Sequence, residues 1–312
     1  MTRIPGNPNE VAALLREANA SRASVGPVDL SRLNRVLDYT PEDMTVTVEA
    51  GLHLGELQRV LRKQNQWLPL DPAHGDSLAV SDLIGRNVSG PRRLGFGTVR
   101  DHLIGVQVAL ADGRLVRSGG KVVKNVAGFD VLKLFVGAEG SLGVIVEATF
   151  KLLPVPETER FVQRRCRSLD EAVAAIQRVL DSSLSPSMLD WHGAGTTSDT
   201  TVVIGFSGAR EDVEVESNAA LNLGFVEEAT LDYEEAFWSG TKPVGRESVL
   251  PGRIGEAVRQ LGEFPFVARA GNGLVHHRGP RLRKDATSAA MLARRVKETF
   301  DPNGILPSMP ES

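Results

Sequence analysis

Glycine recurs through residues 87–154 between runs of β-branched residues, and this pattern constrains the fold more than any other part of the chain. The segment reads NVSGPRRLGFGTVRDHLIGVQVALADGRLVRSGGKVVKNVAGFDVLKLFVGAEGSLGVIVEATFKLLP. Glycine loses more conformational entropy on folding than other residues, so it is favoured where backbone turns sharply or approaches another group closely. Two interpretations remain open. Either backbone amides line a groove for a large, flat, anionic ligand, or the segment is a turn-rich β domain without a ligand.

Length and composition favour a soluble protein of about two domains. The chain has 312 residues, of which 41% are hydrophobic and 24% are charged, and these are ordinary values for a globular protein with its own cores. The net charge of −3 provides no field that would attract nucleic acid or an anionic membrane surface. We therefore expect no nucleic-acid partner.

Cysteine content and hydropathy restrict the class of protein further. The single cysteine, Cys166, excludes an intrachain disulfide, a cysteine-based zinc site and an iron–sulfur cluster held by this chain alone. It lies in a strand-like sequence, FVQRRCRS, and is interpreted as a structural thiol. There is no apolar signal region at the N-terminus, and no run approaches the roughly 20 apolar residues of a membrane-spanning helix. We expect no transmembrane segment and a cytoplasmic location.

The first half of the chain mixes helix and strand signals and predicts an α+β unit. A helix begins at Pro8, with Asn7 as its N-cap and Glu10 at the capping-box position. The other predicted elements are a strand-like VDLSRL at 28–33, a strand at 44–50 with Val46 and Val48 inward and Thr45, Thr47 and Glu49 outward, a helix marked by Leu54, Leu57 and Leu61, a strand at 104–110, a hairpin at Asp112-Gly113, and a strand at 144–152.

From Phe161 onward the predicted order is β-α-β-β-α-β, the split βαβ or ferredoxin-like pattern. The segments are FVQRRCRS, a helix capped by Ser168 with Val173, Ile176 and Leu180 on its apolar face, SMLDWHG, TTVVIGFSG, a helix from about Glu211 to Gly224, and FVEEATL. A helix near 254–261, a hairpin around 270–273 and a final helix ending near Phe300 follow. We predict two domains, 1–157 and 158–312.

Several motifs occur in one order and spacing and together resemble a known family. They are VEAGLHLGELQRVL, PLDP, the segment from NVSGPRRLGFG to NVAGFD, KLFVGAEGSLGVI and FDPNGIL. The motifs resemble the FAD-binding subunits of bacterial glycolate oxidases, which are flavoproteins of the vanillyl-alcohol-oxidase type with a PCMH-type FAD-binding domain. The resemblance is dense from about Val28 to Pro156. It implies an α+β fold in which two α+β subdomains hold extended FAD between them, followed by a ferredoxin-like substrate or cap domain with the C-terminal helix.

The resemblance also implies which residues would border FAD. They are Pro69 and Asp71 on the flavin side, Asn87, Ser89 and Gly90 in a loop passing the cofactor, Lys124, Asn125, Gly128 and Asp130 in a turn, and Gly137, Glu139, Gly140, Leu142, Gly143 and Ile145 with their backbone against the cofactor. A diphosphate favours convergent N–H donors, and a flavin edge can use backbone hydrogen bonds only where no side chain intervenes.

Two departures from the family pattern affect the same ligand. The family has a strand ending in a PRGGGTS-like loop after the first helix, whereas here only SRASVGP separates Ala20 from Val28, so the first subdomain is truncated. Ser81-Asp82 also replaces a pair of glycines, and a carboxylate there would repel a diphosphate. FAD binding is therefore expected to be weakened or lost. A flavin-free scaffold would leave the groove open or fill it with Arg22 and its neighbours.

The resemblance implies an FAD-linked oxidoreductase subunit that oxidises a 2-hydroxy acid by hydride transfer to flavin. It further implies an iron–sulfur subunit and a second flavoprotein subunit as partners, through which the complex would be peripheral at the inner membrane. The alternative is a flavin-free scaffold subunit of such a complex. The sequence assigns no catalytic residue.

The remaining candidate groups are interpreted as packing, ion-paired or solvated residues, each beside a functional alternative. His276 and His277 point to opposite faces of a predicted strand and cannot hold one metal together. The others are His74, a solvated loop residue or a flavin contact; Arg92 and Arg93, ion-paired or facing an anionic substrate or partner; and Trp191 and Trp238, which are expected to pack. No spacing predicts a metal site, a Rossmann site or a Ser-His-Asp arrangement.

Overall fold

The computed structural model describes residues 4–120, 131–239, 245–280 and 288–310. Its N-terminal unit contains seven strands in the described part of the chain: β1 (Val36–Thr40), β2 (Thr45–Glu49), β3 (Gln66–Trp67), β4 (Leu103–Ala109), β5 (Leu115–Gly119), β6 (Val144–Lys151) and β7 (Leu153–Pro154). Five of these form an antiparallel sheet in the order β1-β2-β6-β4-β5, and β3 pairs with β7 separately. The two long alternating segments of the sequence, β4 and β6, pair with each other as inner strands of this sheet.

The N-terminal unit also contains five α-helices in the described part of the chain: α1 (Pro8–Ser21), α2 (Leu54–Arg62), α3 (Val80–Gly85), α4 (Arg93–Phe96) and α5 (Val99–His102). Of these, α1, α2 and α3 contribute to the core beneath this sheet. The predicted N-terminus of α1 is confirmed, because the Asn7 side chain accepts from the Glu10 amide at 3.0 Å and Glu10 accepts from the Gly6 amide at 2.9 Å. Such caps satisfy amides that the first turn of a helix leaves without partners.

The second sheet contains β8 (Thr158–Cys166), β9 (Met188–Gly193), β10 (Thr200–Gly208), β11 (Glu227–Glu228), β12 (Gly245–Ser248), β13 (Phe266–Arg269) and β14 (Leu274–His277). Its helices are α6 (Leu169–Leu180), α7 (Arg210–Leu221), α8 (Asp232–Trp238) and α9 (Ile254–Arg259), and α10 (Ser288–Phe300) follows. The order β11-β8-β10-β9 is antiparallel and ferredoxin-like, as predicted, and β13-β14-β12 extend this sheet beyond β9.

Several predicted details are wrong. Residues 28–33 form no strand, and the edge strand is β1, a few residues later. Thr45 and Glu49 are buried rather than outward. At Glu49 the carboxylate accepts hydrogen bonds from the Arg35 guanidinium and the Arg35 amide. In α6 the buried face consists of Ala172, Ala175, Ile176 and Val179, and Leu180 is exposed. The predicted hairpin at 112–113 is confirmed, with Gly113 at φ +79°.

Two apolar cores divide the described chain. One lies between the five-stranded sheet and α1–α3, and the other lies between the second sheet and α6, α7 and α9. Ile305 and Leu306, which follow α10, belong to the first core, and the Val25 amide donates to the Ile305 carbonyl at 2.7 Å. The division into 1–157 and 158–312 stays a prediction, while the residues after α10 pack with the N-terminal unit.

Candidate functional site

Asp71 and Gly90, two of the residues predicted to border the cofactor, lie in direct contact. A Cβ atom on Gly90 would come within 1.9 Å of the Asp71 carbonyl oxygen, so only glycine permits this approach. Pro69 is buried on the strand-like segment that leads to Asp71. The PLDP and NVSG motifs are therefore adjacent in space as well as in the predicted site.

A second contact joins the end of α3 to the segment 137–140. Asn87 and Glu139 adopt left-handed backbone conformations, with φ of +46° and +47°, a region that non-glycine residues rarely enter. The Gly137 amide donates to the Ile84 carbonyl, and the Glu139 amide donates to the Gly85 carbonyl, each at 3.0 Å. These two predicted amide donors are therefore occupied within the protein and are not free for a ligand in this conformation.

The remaining predicted residues of this segment differ in their surroundings. Gly140 has φ +79°, open space where a Cβ would lie, and no hydrogen-bond acceptor for its amide among the described residues. Leu142 and Ile145 are buried in the first core, and Gly143 adjoins β4 with φ +154°. Ser89 is half-buried. Lys124, Asn125, Gly128 and Asp130 lie outside the described residues.

The two departures from the family pattern lie on the surface. Arg22 is the exposed C-cap of α1, so it does not fill a groove, and residues 22–35 form no strand or helix. Ser81 and Asp82 occupy the first turn of α3, where Asp82 is exposed. The Ser81 amide donates to the Ala50 carbonyl at 2.7 Å. The Ser81 amide is thus occupied within the protein, and the Asp82 side chain lies at the surface.

The second sheet has one apolar and one polar face, and the polar face lies against the N-terminal unit. Strand registers place His192 opposite Val267, Val267 opposite His276, and His276 opposite Arg246. Asp190 and Arg269 share this face, because residues two apart in a strand point the same way. Trp191, Ala268 and Val275 point to the other face, into the core.

α4 connects the N-terminal unit to this polar face. The Gly95 amide donates to the Ser187 carbonyl at 2.9 Å, and Leu94 packs over Gly271, where a Cβ would come within 2.7 Å of its side chain. Arg92, immediately before α4, bridges Asp71 at 2.8 Å and Glu159 of β8 at 2.7 Å. Chemistry-bearing side chains from both units are thus held in one interface.

Burial and charge shift the pKa values around Arg92. Burial opposes its charge, but the hydrogen bonds to Glu159 and the charge of Asp71 raise the pKa of Arg92 above its usual value. Burial also acts on Glu159, where bonds from Arg92 and Ser207 overcome it and lower the pKa. For Asp71 burial is the larger effect and raises the pKa, although Arg92 opposes it. Arg92 therefore stays charged and fixes both carboxyl groups.

Asp190, Tyr233, Glu234 and Arg269 form a second group, here called the Asp190 cluster. Arg269 donates to Asp190 and, at 2.6 and 2.8 Å, to both oxygens of Glu234, and the Tyr233 hydroxyl donates to Asp190 at 2.7 Å. Asp190 and Arg269 are 0% and 2% exposed. Burial raises the pKa of Asp190 to about 7, Arg269 opposes this shift, and Glu234 adds to it.

Beside this cluster, His192 stacks on the Tyr233 ring with centroids 4.1 Å apart. Burial lowers the pKa of His192 to about 4, so the ring is neutral near pH 7. Sequence reasoning missed the Asp190 cluster. The signal that could have found it is a single acid in the apolar strand MLDWHG and a single arginine in FVAR, because an isolated buried charge requires a partner.

A cavity of about 350 Å³ opens at this interface. It is lined by Asp71, Pro72, Ala73, His74, Pro91, Arg92, Leu231, Glu234, Glu235 and Trp238. His74 is exposed, and its Nε2 lies 3.3 Å from the Trp238 carbonyl oxygen. Asp71 is the predicted cofactor residue that lines the cavity.

The surroundings of the other candidate side chains show how each of them is placed. Cys166 is buried, and burial raises the pKa of its thiol, as expected for a structural cysteine. Trp191 packs edge-on against Phe266, and Trp238 packs edge-on against His276 with centroids 5.1 Å apart. His276 faces the N-terminal unit, whereas His277 is fully buried on the other face of the sheet, near Glu247.

The described residues contain neither a metal-binding arrangement nor a membrane-spanning helix. No group of three or more His, Cys, Asp or Glu side chains in the described ranges has the arrangement of a metal site. None of the described helices has the length and hydropathy needed to cross a bilayer.

Comparison with known proteins identifies the N-terminal unit. Residues 24–119 match the family model of an FAD binding domain. The chain is 34% identical over 159 residues to glycolate oxidase subunit GlcD of Bacillus subtilis (strain 168), an alignment of 51% of this chain and 34% of that protein. It is 35% identical over 142 residues to glycolate oxidase subunit GlcE of Escherichia coli (strain K12), covering 45% and 40%.

Two further proteins are similar to this chain, one in sequence and one in fold. The chain is 33% identical over 172 residues to D-2-hydroxyglutarate dehydrogenase of Xanthomonas citri, covering 49% and 36%. A solved structure of alkyldihydroxyacetonephosphate synthase superposes on 96% of this chain and 75% of its own, with a TM-score of 0.73 at 16% identity. These curated relatives match the chain over only about a third to two fifths of their own length.

The predicted family and fold class are confirmed by these matches. The structural superposition spans both sheets, so the described strands and helices form the PCMH-type α+β fold. The cofactor that the family's description names is FAD. Residues 24–119 of this chain thus match the model of an FAD binding domain, and about half of the chain is similar to glycolate oxidase subunits.

Proposed function

We propose that the protein is a subunit of an FAD-linked oxidoreductase that acts on a small 2-hydroxy acid. The observation that carries the proposal is the family match over residues 24–119, whose residues Asp71 and Arg92 line the interface cavity. Relatives that are glycolate oxidase subunits and D-2-hydroxyglutarate dehydrogenase support the substrate class.

The positions that fit the cofactor are those where no side chain lies between the backbone and the ligand. Gly140, which has open space where a Cβ would lie, suits a flat ring or its edge, whereas the same position at Gly90 is filled by Asp71. FAD, when bound, supplies the two-electron acceptor for a hydride leaving the hydroxyl-bearing carbon. The protein's own part is to bind and orient the acid in the cavity and to exclude water there.

Electron transfer out of this chain needs a partner. With Cys166 as its single cysteine, the chain cannot hold an iron–sulfur cluster. Two relatives are themselves subunits, by their names, of a larger glycolate oxidase. We infer an iron–sulfur subunit and a second flavoprotein subunit as partners, and a complex that is peripheral at the inner membrane through them.

A second candidate function is a scaffold subunit that keeps the fold but binds no flavin. Three observations favour it: residues 22–35 form no strand or helix where the family has a strand and an amide loop, the amides of Gly137 and Glu139 are occupied, and the exposed Asp82 stands in place of a family glycine on α3. On this hypothesis the interface between the N-terminal unit and the second sheet has no catalytic role and serves only the assembly of the complex.

Titration of the purified full-length protein with FAD separates the two functions. We expect quenching of flavin fluorescence and a bound flavin spectrum for the wild type, and for Asp82→Gly an affinity about five- to tenfold higher, because a like charge near the diphosphate is removed. Asp212→Gly is the matched control, since Asp212 is exposed at the same position of the first turn of α7. If neither the wild type nor Asp82→Gly binds FAD, the scaffold function replaces the enzyme.

A further inference from the structure

Arg246 and His276 lie directly opposite each other on β12 and β14, on the polar face of the second sheet. Directly opposed residues of an antiparallel pair have Cβ atoms about 4.5–5.5 Å apart, and two positive charges in this position would destabilise the sheet. Arg246 therefore opposes protonation of His276. The carboxyl groups of the Asp190 cluster, Asp190 and Glu234, are already bound by Arg269.

Arg93 brings a third basic group to this position from the N-terminal unit. Its Nε is buried and has no hydrogen-bond partner in the described structure. Within the described residues neither Arg93 nor Arg246 takes part in an ion pair or side-chain hydrogen bond, whereas the neighbouring Arg92 and Arg269 each bind two carboxyl groups. Arg93, Arg246 and His276 are here called the basic cluster.

The charges of the basic cluster act on one another. Burial lowers the pKa of His276 well below its usual value, and the charges of Arg269, Arg246, Arg93 and His277 lower it further. Burial likewise lowers the pKa of Arg93, the charges of Arg246 and Arg269 lower it further, and the charge of Asp101 opposes the shift. Concentrated positive potential with an unbonded, buried guanidinium N–H is the surrounding that an anion would stabilise.

The basic cluster adjoins the interface cavity. The Trp238 ring, which lines the cavity, contacts the His276 ring edge-on with centroids 5.1 Å apart. Arg246 remains exposed, so an anion can reach it from solvent. Glu234 and Glu235 on the cavity wall disfavour a doubly charged ligand, because their negative charges would add to its repulsion.

We propose that Arg93, Arg246 and His276 bind the carboxylate of a small organic acid at the edge of the interface cavity. The choice of a carboxylate rests on the proposed function, while the basic cluster itself is independent of it. Two guanidinium groups can each form paired N–H bonds to a carboxylate, a geometry that gives strong and specific binding. The acid would enter past Arg246, with its uncharged end toward the cavity.

Tryptophan fluorescence of the full-length protein, without added flavin, provides the test, because Trp238 touches His276. The probes are glycolate, inorganic phosphate and the neutral ethylene glycol. We expect saturable quenching by glycolate, none by ethylene glycol, weaker binding of phosphate, and no signal change in Trp238→Phe. Arg93→Gln and Arg246→Gln should each weaken glycolate binding at least tenfold, whereas Arg165→Gln, an exposed arginine on β8, should leave it unchanged.

Each contrary outcome overturns a defined part of the proposal. The anion site would be overturned if glycolate and ethylene glycol quench equally, or if both arginine variants keep the wild-type affinity. The carboxylate assignment would be overturned if phosphate binds more tightly than glycolate. If the variants do not fold, a proton NMR titration of wild-type histidines replaces them: glycolate should raise the pKa of the His276 signal, assigned with His276→Gln, by about half a unit or more. No shift would reject the site.

The experiment also separates this inference from the proposed function. Protein that binds glycolate but not FAD retains the basic cluster as a site and loses the flavin function. Protein that binds FAD but shows no response to glycolate retains the flavin function and loses the basic cluster.

Discussion

The Asp190 cluster and the basic cluster occupy the same face of one sheet, but the charges of the first have partners among the described residues and those of the second do not. In the Asp190 cluster, Arg269 binds two carboxyl groups, and the charged atoms are almost completely buried. In the basic cluster, Arg93 and Arg246 have no carboxylate partner among the described residues, and Arg246 is exposed. The first arrangement pairs its charges within the protein, although Asp190 Oδ1 and Arg269 Nε have no hydrogen-bond partner in the described structure. The second leaves positive charge that an anion would compensate.

This difference separates structural from ligand-binding charges. A buried charge that has a partner is costly to disturb, because removal of one group leaves the other without compensation. A charge without a partner adds little to stability and can instead be compensated by a ligand. The variants below test that distinction from both sides.

Arg269→Met should have the largest effect on stability. It leaves Asp190 and Glu234 buried without their cation, and breaking a buried pair in this way costs about 3–5 kcal/mol. Urea unfolding followed by circular dichroism measures the loss. Arg165→Met, whose side chain is 72% exposed and pairs with Glu227, is the control and should cost less than about 1 kcal/mol. A loss below that for Arg269→Met would show that the cluster is not structural.

The Asp190 cluster should also make stability depend on pH. The pKa of Asp190 is raised from 3.8 to about 7 in the folded protein, so the folded state holds a proton that the unfolded state has lost. Its contribution is full below pH 4 and decreases as pH rises toward 7, by up to about 1.4 kcal/mol per pH unit.

Urea midpoints at several pH values between 5 and 7 measure this slope as the difference between wild type and Asp190→Asn. Asp199→Asn, an exposed loop substitution, should show no such difference. A wild-type slope that survives in Asp190→Asn would assign the titration to another group.

Arg92→Gln should have an intermediate effect. It removes the bridge between Asp71 and Glu159, which joins the two units, and we expect a loss of about 2 kcal/mol, the range for hydrogen bonds to charged groups. Thermal unfolding by calorimetry would also separate into two transitions if the bridge couples the units. Arg100→Gln, an exposed residue of α5, is the control. Unchanged stability would mean that α4 docks through Leu94 and Gly95 alone.

Arg246→Gln should have the smallest effect, within about 0.5 kcal/mol of wild type, because the exposed Arg246 has no ion pair or side-chain hydrogen bond in the described structure to lose. The same urea experiment measures it. A loss of more than 1 kcal/mol would place Arg246 with the structural charges and remove the contrast between the two clusters.

Local sequence patterns were sufficient for most of the fold. Alternation at 104–110 and 144–152 predicted the central strands β4 and β6, and the order of elements from Phe161 predicted the ferredoxin-like part of the second sheet. The missed elements are short or polar, as in β12 (GRES) and α8 (DYEEAFW), where periodicity provides little signal.

The candidate site was harder to predict, because its contacts join distant segments. Glu159 lies 67 positions from Arg92, and no local pattern specifies that pairing. The resemblance predicted Asp71 and Gly90 as neighbours of the cofactor, but the occupied amides of Gly137 and Glu139 follow from how α3 ends against the segment 137–140. Such close approaches depend on tertiary packing rather than on the residue types alone.

Helix α10 and the residues that follow it affect how the protein folds during synthesis. The Lys297 ammonium group donates to the Ser141 carbonyl, 156 positions earlier, and Ile305 and Leu306 complete the core of the N-terminal unit. A nascent chain that has only reached the second sheet therefore exposes an unfinished apolar surface on the cofactor-binding unit. An isolated N-terminal unit would need residues 291–309 supplied with it, either in trans or through a linker, before that core can close.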